Sequence, residues 1–304
     1  MSRSFVAPGT VDEAVGFLAA GARPVAGGTD LVVGSRQGKA PLPDALLAIH
    51  RIDSLREIEE VDGGLRLGSL VTHEMIVSTP AVRERFTALA DASAIVGSHA
   101  TRAHGTIGGN VMNASPAMDT GGPLLCFDGS VTLRSTRGER VVPLADLWSG
   151  PGKTVADADE LLIAVTLPAS AAGSGSCYVR LEYRRQMEIA VVGITAVVTL
   201  AGGIVSDARV AITALAPTIQ RVPGAEAALN GSDAGADAIE AAVRATADAS
   251  APISDVRGSA AYRLAMATVI ARRAIGGAIA RARGEDVPIP ASLSLYGAPG
   301  GRKA

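Results

Sequence analysis

The sequence has few cysteines and few aromatic residues. Its 304 residues include only two cysteines, Cys126 and Cys177. Two thiols cannot complete a four-cysteine zinc or iron–sulfur site, so any such centre must lie on another chain. We therefore expect both cysteines to be small buried hydrophobic residues. Aromatic residues make up only 3% of the chain, which leaves few rings for stacking nucleic-acid bases.

Strong net charge and long apolar segments are also lacking. The formal net charge is −2, and no block of lysine and arginine forms a nucleic-acid surface. No apolar run reaches the length of a membrane helix, and the N-terminus has no signal-peptide core. We therefore expect a cytoplasmic protein. At 304 residues the chain is long enough for two domains.

What the sequence does contain is two glycine pairs, each beside a threonine and followed by an aspartate. The first lies in the segment from Pro24 to Leu31, and the second in the segment from His99 to Asp119. Glycine lets the backbone turn sharply and lets a ligand approach it, and successive backbone N–H groups can converge on a phosphate. One such pair is typical of a turn between buried segments. Two favour a ligand that is bound from two sides.

Common nucleotide and hydrolase motifs do not account for these segments. No GxGxxG follows a predicted strand, and the P-loop look-alike at 150–154 has Leu147 where the first glycine belongs. Ser115, His104 and Asp119 are the residue types of a hydrolase triad, but no nucleophile-elbow pattern surrounds Ser115. A cofactor-binding segment is therefore the favoured interpretation.

The periodicity predicts an α+β protein without regular βαβ alternation. Thr10 and Glu13 form a capping box for a first helix, and Thr79 is predicted to cap a single helix that continues to Gly97. The arginines of the last helix, Arg281 among them, are expected on a solvated face. The run of small residues at 169–176 is predicted as a flexible domain boundary. Beyond it we predict strands at 177–184, 189–200 and 205–215, and helices at 225–229, 237–249 and 259–283.

In their order and spacing, the two glycine segments resemble those of the flavin-binding medium subunit of the molybdenum hydroxylases. This is the xanthine dehydrogenase and carbon monoxide dehydrogenase group. The AGGTD of residues 26–30 resembles the family's first FAD loop, and TIGGN with NASPxxD, at 106–119, resembles the second. The resemblance covers roughly residues 3 to 283. It continues in Glu160-Leu161-Leu162 with Pro168, in Arg184-Arg185 before Glu188-Ile189-Ala190, and in Asp255-Val256-Arg257 with Ser259-Ala260 and Tyr262-Arg263.

The resemblance implies a fold and a domain organisation. The N-terminal FAD-binding domain would consist of two α/β subdomains of the PCMH or vanillyl-alcohol-oxidase type. The C-terminal domain would have a three-stranded antiparallel sheet and a helical bundle. We therefore expect an FAD-binding domain at 1–170, with subdomains at about 1–54 and 55–170, a C-terminal domain at 171–284, and a tail at 285–304.

The resemblance also implies which residues contact FAD. Asp119 matches the acid that binds the ribityl chain, and Ile189 matches a position beside the isoalloxazine ring. Arg180 stands where relatives often have a lysine near the adenine, and Glu188 stands where aspartate is common, so both contacts differ from the family's pattern. No catalytic residue and no metal site is expected. The expected FAD contacts are Pro24, Val25, Ala26, Gly27, Gly28, Thr29, Asp30, Leu31, Thr106, Ile107, Gly108, Gly109, Asn110, Asp119, Leu162, Arg180 and Ile189.

The function implied by the resemblance is electron transfer. Electrons would pass from [2Fe-2S] clusters on a small partner subunit through FAD to an external acceptor. A large subunit would carry the molybdopterin cofactor, and the three chains would form a dimer of heterotrimers. Two alternatives stay open at this stage: a flavin-free scaffold subunit, and a self-sufficient flavin oxidase of related fold. The sequence leaves open the substrate (a purine, an N-heterocycle, an aldehyde or carbon monoxide) and the acceptor (NAD, oxygen, a quinone or a carrier protein).

Overall fold

The structure is a computed structural model that describes residues 4–38, 41–184 and 186–292. Its strands are β1 Ser4–Val6, β2 Arg23–Val25, β3 Ala45–Ala48, β4 Ile58–Val61, β5 Gly64–Gly68, β6 Ser130–Ser135, β7 Gly138–Pro143, β8 Trp148–Gly150, β9 Lys153–Thr154, β10 Leu161–Leu167, β11 Ser174–Leu181, β12 Val192–Ala201, β13 Ile204–Thr213 and β14 Gln220–Arg221. Its α-helices are α1 Val11–Ala19, α2 Thr29–Arg36, α3 His73–Ser78, α4 Pro80–Arg85, α5 Thr87–Ala94, α6 His99–His104, α7 Ile107–Asn113, α8 Gly121–Cys126, α9 Leu144–Leu147, α10 Pro223–Leu229, α11 Ala236–Asp248 and α12 Ala260–Ala282.

The chain divides into two compact units. Unit 1 consists of Met1–Met75, His99–Ser115 and Asp128–Ala169, and unit 2 consists of Ile76–Ser98, Pro116–Phe127 and Ser170–Ala304. Two early segments thus belong to unit 2, because α5 packs against β11 and α8 packs against β12 and β13. The units therefore do not follow a single cut in the sequence near residue 170.

Unit 1 is built on two sheets that share a core. Three parallel strands have the order β1-β3-β2, and five antiparallel strands have the order β4-β5-β10-β6-β7. Helix α1 begins as predicted, since the Thr10 hydroxyl accepts a hydrogen bond from the backbone N–H of Glu13 at 3.2 Å. Its buried face, which includes Leu18, packs with Leu47 of the first sheet and Ile163 of the second.

Unit 2 is built on an antiparallel sheet of order β11-β12-β13-β14. Its three long strands match the prediction, and β14 adds two residues at one edge. Cys177 and Val179 lie in the apolar core with α12, because alternate residues of a strand point to the same face. Both cysteines are buried and free, as expected. Strand β11 begins at Ser174, so the end of the predicted flexible run is sheet.

The solvated face expected for the arginines of α12 is wrong for Arg281. Its guanidinium donates to the two carboxylate oxygens of Asp91, at 2.6 and 3.0 Å, and the Asp91 side chain is fully buried. The backbone N–H groups of Tyr178 and Ala291 also donate to this carboxylate. Asp91 therefore connects α5, β11, α12 and residue 291. Part of the predicted tail thus packs on unit 2, and residues 293–304 lie outside the described residues.

The single helix predicted from Thr79 to Gly97 is wrong. The segment forms α4 and α5, which are separated at Phe86, and the Thr79 side chain makes no capping hydrogen bond. Phe86 is fully buried and meets Phe127 edge to face, with ring centroids 5.0 Å apart. Because burial of an aromatic ring contributes more than one helical hydrogen bond, packing at Phe86 overrides the helical periodicity.

Candidate cofactor site

The first glycine segment connects a strand to a helix. Strand β2 ends at Val25, and α2 begins at Thr29 directly after the glycine pair. Gly28 occupies the N-cap position with φ +70°, a left-handed conformation that favours glycine. The N-terminus of a helix carries a partial positive charge and outward N–H groups, which favours an anionic group at this point.

The second glycine segment is mostly helical, and the prediction of a loop from 99 to 119 is wrong in this respect. It contains α6 and α7, and Thr106 caps α7 by accepting from Gly109 N at 3.1 Å. The next two N–H groups are engaged as well: Ile107 N donates to Val71 O at 2.9 Å, and Gly108 N donates to Ser69 O at 3.0 Å. These N–H groups therefore do not converge on a phosphate as we expected.

The two glycine segments touch each other within unit 1. A Cβ at Gly27 would overlap the carbonyl oxygen of His104, so only glycine allows this approach. A Cβ at Gly109 would stand 3.9 Å from the Cβ of Ala26. The structure therefore brings the two predicted segments together. Beside the contact is a cavity of about 140 Å³, which is lined by Ala26, Gly27, His50, Arg56, Leu70, Thr72, Ala103, His104 and Thr106.

The buried residue His73 packs beside the contact between the two glycine segments. The backbone N–H of His73 donates to Gly105 O at 3.1 Å. A Cβ at Gly105 would stand 3.4 Å from Cδ2 of His73 and 3.7 Å from the hydroxyl of Thr29. Burial, together with the smaller effect of the nearby charge of Arg102, lowers the pKa of His73 to about 4. His73 is therefore neutral at pH 7.

In unit 2 the structure brings two other predicted residues together. The carboxylate of Asp119 accepts from Arg180 Nη1 at 2.8 Å and from the Tyr178 hydroxyl at 2.6 Å. Burial raises the pKa of Asp119, while the guanidinium of Arg180 and the Tyr178 hydroxyl lower it. Arg180 is fully buried and also pairs with Glu182. The Arg180 guanidinium is thus occupied by carboxylates of this chain, a pairing that the sequence did not indicate.

The packing of α8 explains why Asp119 reaches these partners. A Cβ at Gly122 would lie 2.5 Å from the hydroxyl of Thr195 and 3.2 Å from that of Thr213. Only glycine allows α8 to approach β12 and β13 so closely, and Asp119 lies two residues before that helix. Tyr178 and Arg180 alternate with the core residues of β11, which places both on the opposite face of the strand.

The remaining predicted residues differ in exposure. Leu162 is buried in β10, the strand against which α7 packs. Ile189 is 48% exposed, outside β12. Unit 1 thus contains both glycine pairs and Leu162, whereas unit 2 contains Asp119, Arg180 and Ile189. Arg185, part of the family resemblance, lies outside the described residues.

Sequence reasoning missed several residues of this region. Thr72, His50 and Arg56 line the cavity, and Tyr178 binds Asp119 from 59 positions away in the chain. No local spacing marks them, because each meets its neighbours within its own unit only through strand pairing or helix packing. The order Tyr178, Val179, Arg180 shows strand alternation, but a partner for the two polar side chains appears only in the folded unit.

Comparison with known families identifies the chain. Residues 1–170 match the FAD binding domain in molybdopterin dehydrogenase, and residues 178–278 match the CO dehydrogenase flavoprotein C-terminal domain. The chain belongs to this family of FAD-binding subunits. The resemblance that the glycine segments indicated is therefore confirmed, and so is FAD as the cofactor.

Individual relatives cover nearly the whole length of this flavoprotein subunit. It is 32% identical to the carbon monoxide dehydrogenase medium chain of Hydrogenophaga pseudoflava, over 90% of this chain and 96% of that one. It is also 32% identical to the nicotine 6-hydroxylase medium subunit of Paenarthrobacter nicotinovorans, over 91% and 97%. A solved structure of carbon monoxide dehydrogenase from Hydrogenophaga pseudoflava superimposes with a TM-score of 0.88, covering 92% of this chain and 98% of that one.

The fold class predicted from the sequence is confirmed by these matches. The subunit is the medium, FAD-binding type of a molybdenum hydroxylase, and its relatives are subunits of oxidoreductases. Among the described residues, no helix is long and apolar enough to cross a membrane.

The residues present suit FAD. Gly28 in a left-handed conformation at the start of α2 exposes backbone to an anionic group, as a pyrophosphate requires. The cavity beside it is smaller than the roughly 300–1,000 Å³ typical of ligand clefts, so it fits only part of a dinucleotide. Asp119 has four acceptor positions and uses two of them for Tyr178 and Arg180, which leaves capacity for ligand hydroxyl groups.

Proposed function

We propose that this chain is the electron-transfer subunit of a heteromeric molybdenum hydroxylase. Electrons arrive from iron–sulfur clusters on a partner subunit and leave to an external acceptor. Bound FAD supplies the redox chemistry, because a flavin exchanges electrons both singly and in pairs. With only Cys126 and Cys177, the chain has too few thiols for a four-cysteine cluster of its own.

The contact between the two glycine segments carries this proposal. Gly27 and Gly28, at the start of α2, would hold the pyrophosphate of FAD with their backbone. Arg56, in the lining of the adjacent cavity, adds a positive charge. Asp119 would accept hydrogen bonds from the ribityl hydroxyl groups, and Ile189 would lie beside the ring. We propose the remaining predicted residues, among them Leu162, as further FAD contacts.

The partners follow from the family. A small subunit carries [2Fe-2S] clusters, a large subunit carries the molybdopterin cofactor, and the three chains form a dimer of heterotrimers. The relatives support a multi-subunit enzyme, since one is a carbon monoxide dehydrogenase medium chain and another a xanthine dehydrogenase FAD-binding subunit. The hydroxylation of the substrate occurs on the large subunit.

The test is FAD binding by the purified chain. We expect it to carry flavin, or to bind added FAD with a dissociation constant that quenching of the single tryptophan, Trp148, can follow. Gly27→Ala should weaken binding by at least tenfold, because its methyl group would separate the two segments. Gly16→Ala is the matched control, since a Cβ there meets nothing within 4 Å. A chain that binds no FAD would be a scaffold subunit, and the proposal would be wrong.

A further inference from the structure

Strand β11 fixes the Asp119 carboxylate with two side chains. The Tyr178 hydroxyl donates to Oδ1 at 2.6 Å, and Nη1 of Arg180 donates to Oδ2 at 2.8 Å. Residues two apart in a strand point to the same face, so both donors approach Asp119 together. Because each oxygen has its own donor, the carboxylate cannot rotate about its Cβ–Cγ bond without losing both hydrogen bonds.

Tyr178 and Arg180 are buried donors, and the single positive charge of Arg180 faces two carboxylates. Tyr178 and Arg180 are fully buried, and 7% of Asp119 is exposed. The Arg180 guanidinium is shared between two carboxylates, those of Asp119 and Glu182, and also donates to the backbone oxygen of Glu188. One cation thus serves two acids in a site of low dielectric. A neutral donor on Asp119, the Tyr178 hydroxyl, stabilises its charged form without adding charge.

A glycine on the next strand makes room for the tyrosine. A Cβ at Gly193 would lie 2.6 Å from the Tyr178 hydroxyl oxygen and 3.0 Å from the Cβ of Thr213. Any larger residue at 193 would move the hydroxyl group away from its position beside Asp119. The hydrogen bond between Tyr178 and Asp119 therefore depends on Gly193 as well.

We propose that Tyr178 is a positioning residue for the cofactor. With the space provided by Gly193, it orients the Asp119 carboxylate so that its two remaining acceptor positions receive the hydroxyl groups of the FAD ribityl chain. This inference rests on the proposed function, since it needs FAD at Asp119. Arg180 balances the negative charge of the Asp119 carboxylate, and Tyr178 fixes the orientation of that carboxylate.

The test compares Tyr178→Phe with Tyr183→Phe in the full chain, with FAD as the titrant. A hydrogen bond to a charged group is lost in the first variant, so the dissociation constant of FAD should rise about tenfold. In the second, the hydroxyl that donates to the backbone oxygen of Arg257 is lost, and FAD affinity should stay unchanged. Gly193→Ala should reproduce the effect of Tyr178→Phe. Thermal unfolding of each apoprotein shows whether it remains folded.

A double-mutant cycle separates positioning from a purely structural role. In an Asp119→Asn background, Tyr178→Phe should cause no further loss of FAD affinity, because its effect passes through the carboxylate. Additive losses in the double variant would overturn the inference, and so would wild-type affinity in Tyr178→Phe. Wild-type affinity in Asp119→Asn would remove Asp119 from the site and overturn it too. All three outcomes leave the proposed function intact, which fails only if the wild-type chain binds no FAD.

Discussion

At the scale of single residues, the buried charges of this subunit are matched by partners from distant parts of the chain. Asp91 pairs with Arg281, and Asp119 pairs with Arg180. Each of these carboxylates would be costly in the interior without its guanidinium, so removing one partner leaves the other uncompensated. The two pairs differ in what they can do: Asp91 also accepts two backbone N–H groups, whereas Asp119 keeps acceptor capacity for a ligand.

Asp119→Ala should therefore have two effects. Loss of the acceptor should lower FAD affinity about ten- to a hundredfold. Loss of the counter-charge for Arg180 should lower the free energy of unfolding of unit 2 by roughly 3–5 kcal/mol. Flavin titration measures the first effect and urea unfolding of the apoprotein the second. Asp207→Ala, which breaks a partly exposed pair with Arg209, is the control and should change neither quantity appreciably. Unchanged FAD affinity in Asp119→Ala would remove Asp119 from the site.

His73 should make the stability of unit 1 depend on pH. Its folded pKa of about 4 lies below the unfolded value of 6.5, so the unfolded chain binds the proton more strongly. The contribution is fully present above pH 6.5 and is lost as the pH falls toward 4. The difference corresponds to about 3 kcal/mol. In His73→Gln this part of the pH dependence should disappear, as measured by urea unfolding between pH 4 and 7.5. His99→Gln, at an exposed histidine, should keep it, and identical slopes in all three proteins would contradict the assignment.

At the scale of elements, the helix starts and the strand alternation arrange the site. Helix α2 begins on the left-handed Gly28, and α7 begins on the Thr106 cap, whose neighbours engage their N–H groups within the fold. The two glycine pairs thus have different roles. The first exposes backbone, whereas in the second Gly108 allows close packing, since a Cβ there would lie 2.6 Å from Cβ of Ser69.

Gly109→Val should impair FAD binding without unfolding unit 2. A Cβ at this position would lie 3.1 Å from the hydroxyl of Thr106, so the valine methyl groups should disturb the cap and the adjoining first segment. We expect the dissociation constant of FAD to rise at least tenfold while far-UV circular dichroism stays near that of the wild type. Gly16→Val, on α1 with open space around it, is the control. Global unfolding of Gly109→Val would contradict the independence of unit 2.

At the scale of the whole molecule, this chain is one component of a larger enzyme. We expect the isolated chain to bind FAD but not to oxidise a purine, an aldehyde or an N-heterocycle. Activity should appear only when an iron–sulfur subunit and a molybdopterin subunit are co-expressed, and the three should co-purify on size exclusion. The measurement is substrate-dependent flavin reduction. Turnover of such a substrate by the lone chain at about 1 s⁻¹ or more, within the ordinary range of enzymes, would favour the self-sufficient oxidase.

Local sequence patterns were enough to predict the family, the cofactor and most of the regular elements. The glycine pairs, the Thr10 cap and the alternation of β11 depend only on residues that are close together in the sequence. The strands of unit 2 and its three C-terminal helices could be predicted for this reason.

The contacts between distant residues could not be predicted from these patterns, because they depend on packing. Burial of Phe86 divided a predicted helix, and Arg281 left the expected solvated face for Asp91, 190 positions away. Tyr178 and Arg180 donate hydrogen bonds to Asp119 because α8 packs closely on β12 and β13 at Gly122. Such pairs form because burying an unpaired charge or hydrogen-bond donor costs free energy. Which residue becomes the partner depends on how the helices and strands pack. The spacing of residues along the chain therefore does not predict these partners.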